Sequence, residues 1–152
     1  MAVDVTVTTR IGRLPRDVYA ALVAVERFPE WLIASGIVGV ERADTNGLAV
    51  GSRLTIRQVV AGRSAVIAAE VTALVPEASL ALRGRDPDGV TVQFDAGLAP
   101  DGDLATTLRW SVRIGLPLKY RMFESMVAPQ ARRAATLDVE AFKRRLESVA
   151  DG

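Results

Sequence analysis

The chain has 152 residues with 19 basic and 18 acidic side chains, and it contains neither cysteine nor histidine. A length of this order suits one domain, which we expect to span residues 1–152. The missing residue types exclude disulfides, thiolate nucleophiles and Ser-His-Asp devices, and they argue against zinc or a redox metal. We therefore expect no metal site and no cofactor. A net charge of +1 does not indicate the excess of basic residues that is typical of nucleic-acid-binding proteins.

Membrane and targeting signals are missing from the sequence. No apolar run approaches the roughly 20 residues that span a bilayer. The first residues lack the basic and apolar regions of a signal peptide. These observations predict a cytoplasmic protein without stable membrane insertion, and they leave open whether it is a monomer or a homodimer.

The N-terminal third predicts one strand and two short helices. Apolar and polar residues alternate from Val3 to Arg10, as in a half-buried strand. Pro15 then stands at about the first position of a helix. The segment Phe28–Trp31 ends that helix and begins a shorter one, because Pro29 disfavours helical geometry in the residue before it.

From Ile37 to Gly115 the apolar period is two, and turn sequences divide the region into six strands. Two of the turns read Pro-Asp-Gly, in which Pro presets φ and Gly accepts the positive φ of a tight hairpin. The predicted strands lie near 37–43, 52–60, 63–75, 79–85, 90–98 and 103–115. Strands joined by such short turns are antiparallel. With the first strand they make a seven-stranded antiparallel sheet, on which alternation places Ala73 among the inward-facing residues.

The last segment, from about 118 to 149, predicts a long helix whose main part follows Pro129. Its inward face carries the small and apolar residues Ala131, Ala134, Ala135, Val139, Phe142, Leu146 and Val149, and Arg133 falls on the solvent face. This helix would cover the apolar face of the sheet in an α+β domain. Because the inward residues nearest Pro129 are alanines, two interpretations stay open: close packing of helix on sheet, or a ligand cavity between them.

The order of strand, two short helices, six-stranded meander and long helix resembles the START-related lipid-transfer superfamily, or SRPBCC, with its helix-grip fold. The resemblance is carried by Pro15–Tyr19, Phe28–Trp31, Gly51–Ser52 and Phe142–Glu147. Within the superfamily the chain most resembles the bacterial polyketide cyclase/dehydrase and lipid transport group. The resemblance implies a curved sheet wrapped around the long helix, with a cavity for a sterol, lipid, polyketide or hormone. It implies no particular reaction.

Candidate ligand-binding residues follow from the predicted inner faces. They are Trp31, Ile56, Gln58, Leu82, Phe94, Trp110, Met122, Met126, Ala131, Ala134 and Ala135. Gln58 is the one amide that we place on the inner face of the sheet, where it needs hydrogen-bond partners from the protein, water or a ligand. For Trp31 and the two methionines, core packing is the default interpretation and ligand contact the alternative.

No set of residues has the spacing of a known active site. Two catalytic candidates are Asp138, within the apolar arc of the long helix, and Tyr120, near the expected pocket mouth. A buried Asp138 needs a partner, for which we expect Arg145 or a strand arginine. As a pocket acid or base it would have a pKa raised by burial. Tyr120 is also explained as part of a surface hinge.

These observations favour noncatalytic binding or carriage of a hydrophobic small molecule such as a lipid, polyketide or isoprenoid. The alternative is a polyketide aromatase/cyclase or dehydratase that works without metal, mostly by orienting its substrate. A further alternative is a protein-interaction module that uses the outer face of the sheet.

Overall fold

The computed structural model describes residues 2–149, and for Val149 the backbone alone. The N-terminal part contains strand β1 (Ala2–Ile11), helix α1 (Pro15–Val23) and a 3₁₀ helix, η1 (Val25–Glu30). The hairpin strands are β2 (Ile37–Arg42), β3 (Arg53–Val60), β4 (Arg63–Val75), β5 (Ser79–Arg85), β6 (Thr91–Asp101) and β7 (Ala105–Gly115). A second 3₁₀ helix, η2 (Leu118–Phe123), leads into helix α2 (Glu124–Val149).

The seven strands form one antiparallel sheet in the order β1-β7-β6-β5-β4-β3-β2. Strands β2 to β7 are a meander, and β1 pairs with β7 along its whole length. The predicted α+β helix-grip architecture is therefore confirmed. Helix α2 begins at Glu124, so Pro129 lies inside the helix and does not mark its start. The predicted inward side chain of Val149 lies outside the described residues.

The sheet departs from strict alternation on β4. A bulge between Val71 and Ala73 sets Ala73 opposite Ala81 and Leu74 opposite Leu80. The assignment of Ala73 to the inner face is therefore wrong, because the extra residue in the bulge turns Leu74 toward the core in its place. A periodic pattern cannot reveal such a shift, since one additional residue inverts every later position.

An aromatic cluster joins the N-terminal segment, the sheet and helix α2. The ring of Trp31 lies 5.3 Å from that of Trp110 on β7 and 4.5 Å from that of Phe142 on α2, between centroids. Phe28 adds an edge contact to Trp31 at 5.7 Å, and Phe94 stacks on Trp110 at 5.6 Å. Each such pair contributes about 0.5–1.5 kcal/mol beyond the burial of its area. The cluster therefore fixes α2 across the sheet.

Glycine at position 84 is required by the packing of β5 against β4. A Cβ atom there would lie 2.5 Å from Ile67 Cγ2 and 3.1 Å from the Ala68 carbonyl oxygen. Gly84→Ala should therefore lower the free energy of unfolding by about 1–3 kcal/mol, as overpacking does. Gly97→Ala on β6 is the matched control, because a Cβ there has no neighbour within 4 Å. Chemical denaturation measures both, and equal stabilities for the two variants would contradict this packing.

Candidate functional site

A cleft of about 450 Å³ opens between helix α2 and the ends of β3 and β7. Its walls combine the turn after η1, the sheet and the first half of α2. They are lined by Ala34, Ser35, Gln58, Val60, Ala61, Ile114, Val127, Gln130, Ala131, Arg133, Ala134 and Leu137. Most of these residues are apolar, and a volume of this size is in the range of small-molecule sites.

The alanines of α2 leave this space unfilled. Ala131 and Ala134 lie three residues apart and share one helix face. Both line the cleft, opposite Gln58, Val60 and Ile114 of the sheet. Since their side chains end at Cβ, these two residues do not extend into the cleft. The alanine face therefore borders an opening at these two residues and packs closely at Ala135, which is buried. That the opening is a ligand cavity stays a prediction.

Asp138 holds the turn that forms one wall of the cleft. Its carboxylate accepts hydrogen bonds from the backbone N–H of Ala34 at 2.8 Å and of Ser35 at 3.1 Å. The Ser35 hydroxyl donates a third at 2.5 Å. Asp138 is only 1% exposed. Burial raises the pKa of its carboxyl, although the bonds from Ser35 and Ala34 act in the opposite direction.

The prediction that an arginine pairs with Asp138 is wrong. Arg145 binds Glu30 instead, with Nη2 and Oε1 2.7 Å apart. The inward position of Asp138 faces the turn at residues 34–35, whose backbone N–H groups supply hydrogen bonds. The sequence carries no sign of this contact, because a turn sequence does not show which buried acid its backbone will meet.

Gln58 continues the same network on the sheet side. Its amide nitrogen donates to the Ser35 carbonyl oxygen at 2.9 Å. Ser35 thus connects the carboxylate of Asp138 on α2 with the amide of Gln58 on β3. The three residues tie helix, turn and strand together at the edge of the cleft.

The structure brings three of the predicted ligand-binding residues to the cleft, namely Gln58, Ala131 and Ala134. Six others are buried in the core beneath it: Trp31, Ile56, Leu82, Phe94, Trp110 and Ala135. Met122 and Met126 are 78% and 63% exposed, and neither lines the cleft. A ligand contact stays a prediction for all eleven residues, including the three that line the cleft.

Tyr120 lies apart from the cleft lining. Its ring is 5.9 Å from the Arg63 guanidinium and 5.2 Å from Lys119 Nζ, in cation–π geometry. Arg63 also pairs with Asp86 and Asp88 in the turn between β5 and β6. These contacts tie η2 to two hairpin turns. Tyr120 and Asp138 have no hydrogen-bond partner in common, and a catalytic role for either stays a prediction.

Nine of the twelve lining residues are not among the candidates that the sequence indicates, and three of these nine are polar: Ser35, Gln130 and Arg133. Arg133 is exposed, as its place on the solvent face of the helix predicts, but it also lies at the rim of the cleft. No signal in the sequence indicates Ser35, because its place in the site depends on the contact of its turn with the distant Asp138.

A second depression, of about 660 Å³, lies on the outer face of the sheet. Arg53, Arg83, Arg85 and Arg113 surround a floor that includes Ala68. It is larger than the cleft but lined by charged side chains, so it does not suit an apolar molecule. Among residues 2–149 no group of acidic side chains is arranged to hold a metal ion, and no helix there has the length and hydropathy of a membrane span.

Residues 2–147 match the family model described as polyketide cyclase / dehydrase and lipid transport. The chain belongs to this family. No curated protein matches it significantly. The family assignment agrees with the resemblance drawn from Pro15–Tyr19 and Phe28–Trp31.

Solved structures share the family fold at low sequence identity. A START superfamily protein from Mycobacterium smegmatis has a TM-score of 0.79 at 16% identity, covering 96% of this chain and 98% of its own. The Zhui aromatase/cyclase from Streptomyces sp. R1128 has a TM-score of 0.78 at 14% identity, covering 97% and 94%. A protein from Thermus thermophilus has a TM-score of 0.75 at 14% identity, covering 96% and 98%. These similarities establish the fold of the family member described here.

The raised pKa of Asp138 predicts a pH-dependent stability. In the unfolded chain an aspartate loses its proton at about pH 3.9, whereas the folded protein retains this proton to higher pH. The folded state therefore binds more protons in this window, so the stability that Asp138 contributes falls as pH rises from about 4 through its folded pKa. Asp138→Asn removes the titration. The difference in unfolding free energy, wild type minus variant, should fall over this range.

Denaturation of both proteins at a series of pH values measures this difference. Glu140→Gln, at an exposed position on the same helix, is the control for the loss of a helix carboxylate. A difference that rises with pH would mean that the hydrogen bonds from Ser35 and Ala34 outweigh burial.

Proposed function

We propose that this protein binds an apolar small molecule in the cleft between α2 and the sheet. The observation that carries the proposal is the opening of about 450 Å³, walled mainly by apolar side chains of β3, β7 and α2. Family membership supports the same kind of ligand. Binding or carriage of an apolar molecule requires only such a cavity. The cleft contains no catalytic group for which the proposal must account.

Exposed apolar surface at the cleft supplies a driving force. Val60 and Leu137 line the cleft and are 40% and 44% exposed, respectively. A ligand that covers them removes apolar area from water, which is worth about 25 cal/mol for each Å² buried. The exposure of two large aliphatic residues at a concave site therefore favours an apolar occupant.

The cleft lining offers little for acid–base catalysis. Arg133 is its one ionisable side chain, and an arginine guanidinium is not deprotonated in proteins, so it cannot act as a general base. Asp138 lies behind the cleft wall with its oxygens engaged by Ala34 and Ser35. Noncatalytic binding is thus the function that the geometry supports best.

An aromatase/cyclase or dehydratase activity is the second candidate. It is supported by the buried, pKa-raised carboxyl of Asp138 one hydrogen bond away from the cleft-lining Ser35. The fold shared with an aromatase/cyclase agrees with this possibility. Turnover of a polyketide substrate that is lost in Asp138→Asn, while binding is retained, would favour this candidate over simple carriage.

Filling the cleft should abolish binding without unfolding the protein. Ala131→Trp places an indole in the opening, so we expect at least about a tenfold loss of affinity for the apolar fluorophore N-phenyl-1-naphthylamine, with little change in thermal stability. Thr136→Trp, at an exposed site outside the cleft lining, is the neutral control and should bind as the wild type does. Fluorescence titration measures all three proteins.

Ala135→Trp separates the cleft from the packed core. Ala135 is 1% exposed, so tryptophan there should cost about 1–3 kcal/mol or more of stability by overpacking. No fluorophore uptake by the wild type, or an equal loss of affinity in Ala131→Trp and Thr136→Trp, would contradict the proposed site.

A further inference from the structure

We infer that the cleft selects apolar molecules that carry a hydroxyl group, and that Gln58 selects them by accepting a hydrogen bond from that hydroxyl. The inference rests on the proposed function and names the class of ligand. It follows from the way the amide of Gln58 is held at the cleft wall.

The orientation of the Gln58 amide is determined by its partner. The partner of Nε2 is the carbonyl oxygen of Ser35, at 2.9 Å. A carbonyl oxygen can only accept a hydrogen bond, so the nitrogen of the amide, not its oxygen, must face Ser35. A flipped amide would set two oxygen acceptors against each other.

The Ser35 carbonyl is itself held in place. Both the N–H and the hydroxyl of Ser35 donate to Asp138, and the N–H of Ala34 donates to the same carboxylate. Asp138 is buried on α2, so the turn is anchored to the helix. The anchored turn then fixes the amide of Gln58, which is a preorganised arrangement.

The remaining atom of the amide is available to a ligand. Gln58 lines the cleft. Among residues 2–149 its side chain makes a single hydrogen bond, through Nε2, so Oε1 has no partner there. The Ser35 hydroxyl, also at the cleft, is already committed to Asp138. Gln58 Oε1 is therefore a fixed acceptor beside the apolar walls formed by Val60 and Ile114.

A fixed acceptor beside apolar walls is complementary to a hydroxyl or phenol on an apolar body. A ligand without a donor would cover Oε1 and leave it without a hydrogen bond, which is unfavourable. A site that hydrogen-bonds the hydroxyl of its ligand discriminates strongly against analogues without a hydroxyl. An apolar pocket discriminates less strongly between ligands that differ only in size. Apart from Gln58 and Ser35, the polar residues of the lining are Gln130 and Arg133, and both are exposed.

The test compares 2-naphthol with 2-methylnaphthalene, which replaces the hydroxyl with a methyl group of similar size. Both are titrated as competitors of N-phenyl-1-naphthylamine on the wild type, on Gln58→Met and on Gln93→Met. Gln58→Met retains the length of the side chain and removes the acceptor. It should weaken 2-naphthol by about threefold to tenfold, the range of one hydrogen bond, and leave 2-methylnaphthalene within about twofold. Gln93→Met, at a glutamine of β6 outside the cleft lining, should change neither.

The outcomes separate this inference from the function on which it rests. If neither competitor nor fluorophore binds the wild type, the proposed function fails. If they bind but Gln58→Met weakens both competitors equally, or Gln93→Met reproduces its effect, the selection by Gln58 is overturned and the apolar site remains.

A comparison on the wild type alone covers the case in which Gln58→Met does not fold. The methyl ether 2-methoxynaphthalene retains the oxygen of 2-naphthol but not its proton, and it is the more apolar of the two. We expect 2-naphthol to bind more tightly in spite of this. A methyl ether that binds as tightly as 2-naphthol, or more tightly, overturns the inference.

Discussion

The contact of Trp31 with Phe142 and Trp110 is the interaction on which the rest of the structure depends. Its ring joins the segment after β1, the long helix and the sheet at one point. The indole N–H is buried without a hydrogen bond, the one such side-chain atom found among residues 2–149. An unpaired buried donor costs about 1–3 kcal/mol, so the aromatic packing must outweigh that cost. With α2 fixed there, its alanines lie over a part of the sheet that no large side chain covers.

The second anchor of α2 combines stability with the shape of the cleft. A carboxylate at the position of Asp138 is costly to bury, and the turn at residues 34–35 offsets this cost with three hydrogen bonds. The same turn forms a cleft wall and orients Gln58. The aromatic cluster therefore sets where the helix lies, and the Asp138 network sets what the cleft presents to a ligand.

The architecture can be predicted from the sequence because its signals are local. Alternation from Val3 to Arg10, the Pro-Asp-Gly turns and the apolar arc of α2 each report on a few neighbouring residues. The inward-facing positions follow from the same periods, except after the bulge beyond Val71, where one extra residue shifts the face.

The candidate site is harder to predict because it depends on which distant residues meet. Gln58, Ala131 and Ala134 are found from their faces, but face alone does not tell a cleft wall from a packed core, as Trp110 and Ala135 illustrate. The partners of Asp138 are more than 100 residues away in sequence. Core packing, the default interpretation of Met122 and Met126, is wrong, because both side chains are exposed.

The central claim is that an apolar molecule occupies the cleft between α2 and the sheet. Amide chemical shifts of the ¹⁵N-labelled protein during titration with N-phenyl-1-naphthylamine test it most directly. We predict the largest changes at Gln58, Ala131 and Ala134, with little change at Ala68 and Arg83 in the outer depression. Changes concentrated at Ala68 and Arg83, with the cleft amides unmoved, would contradict the account.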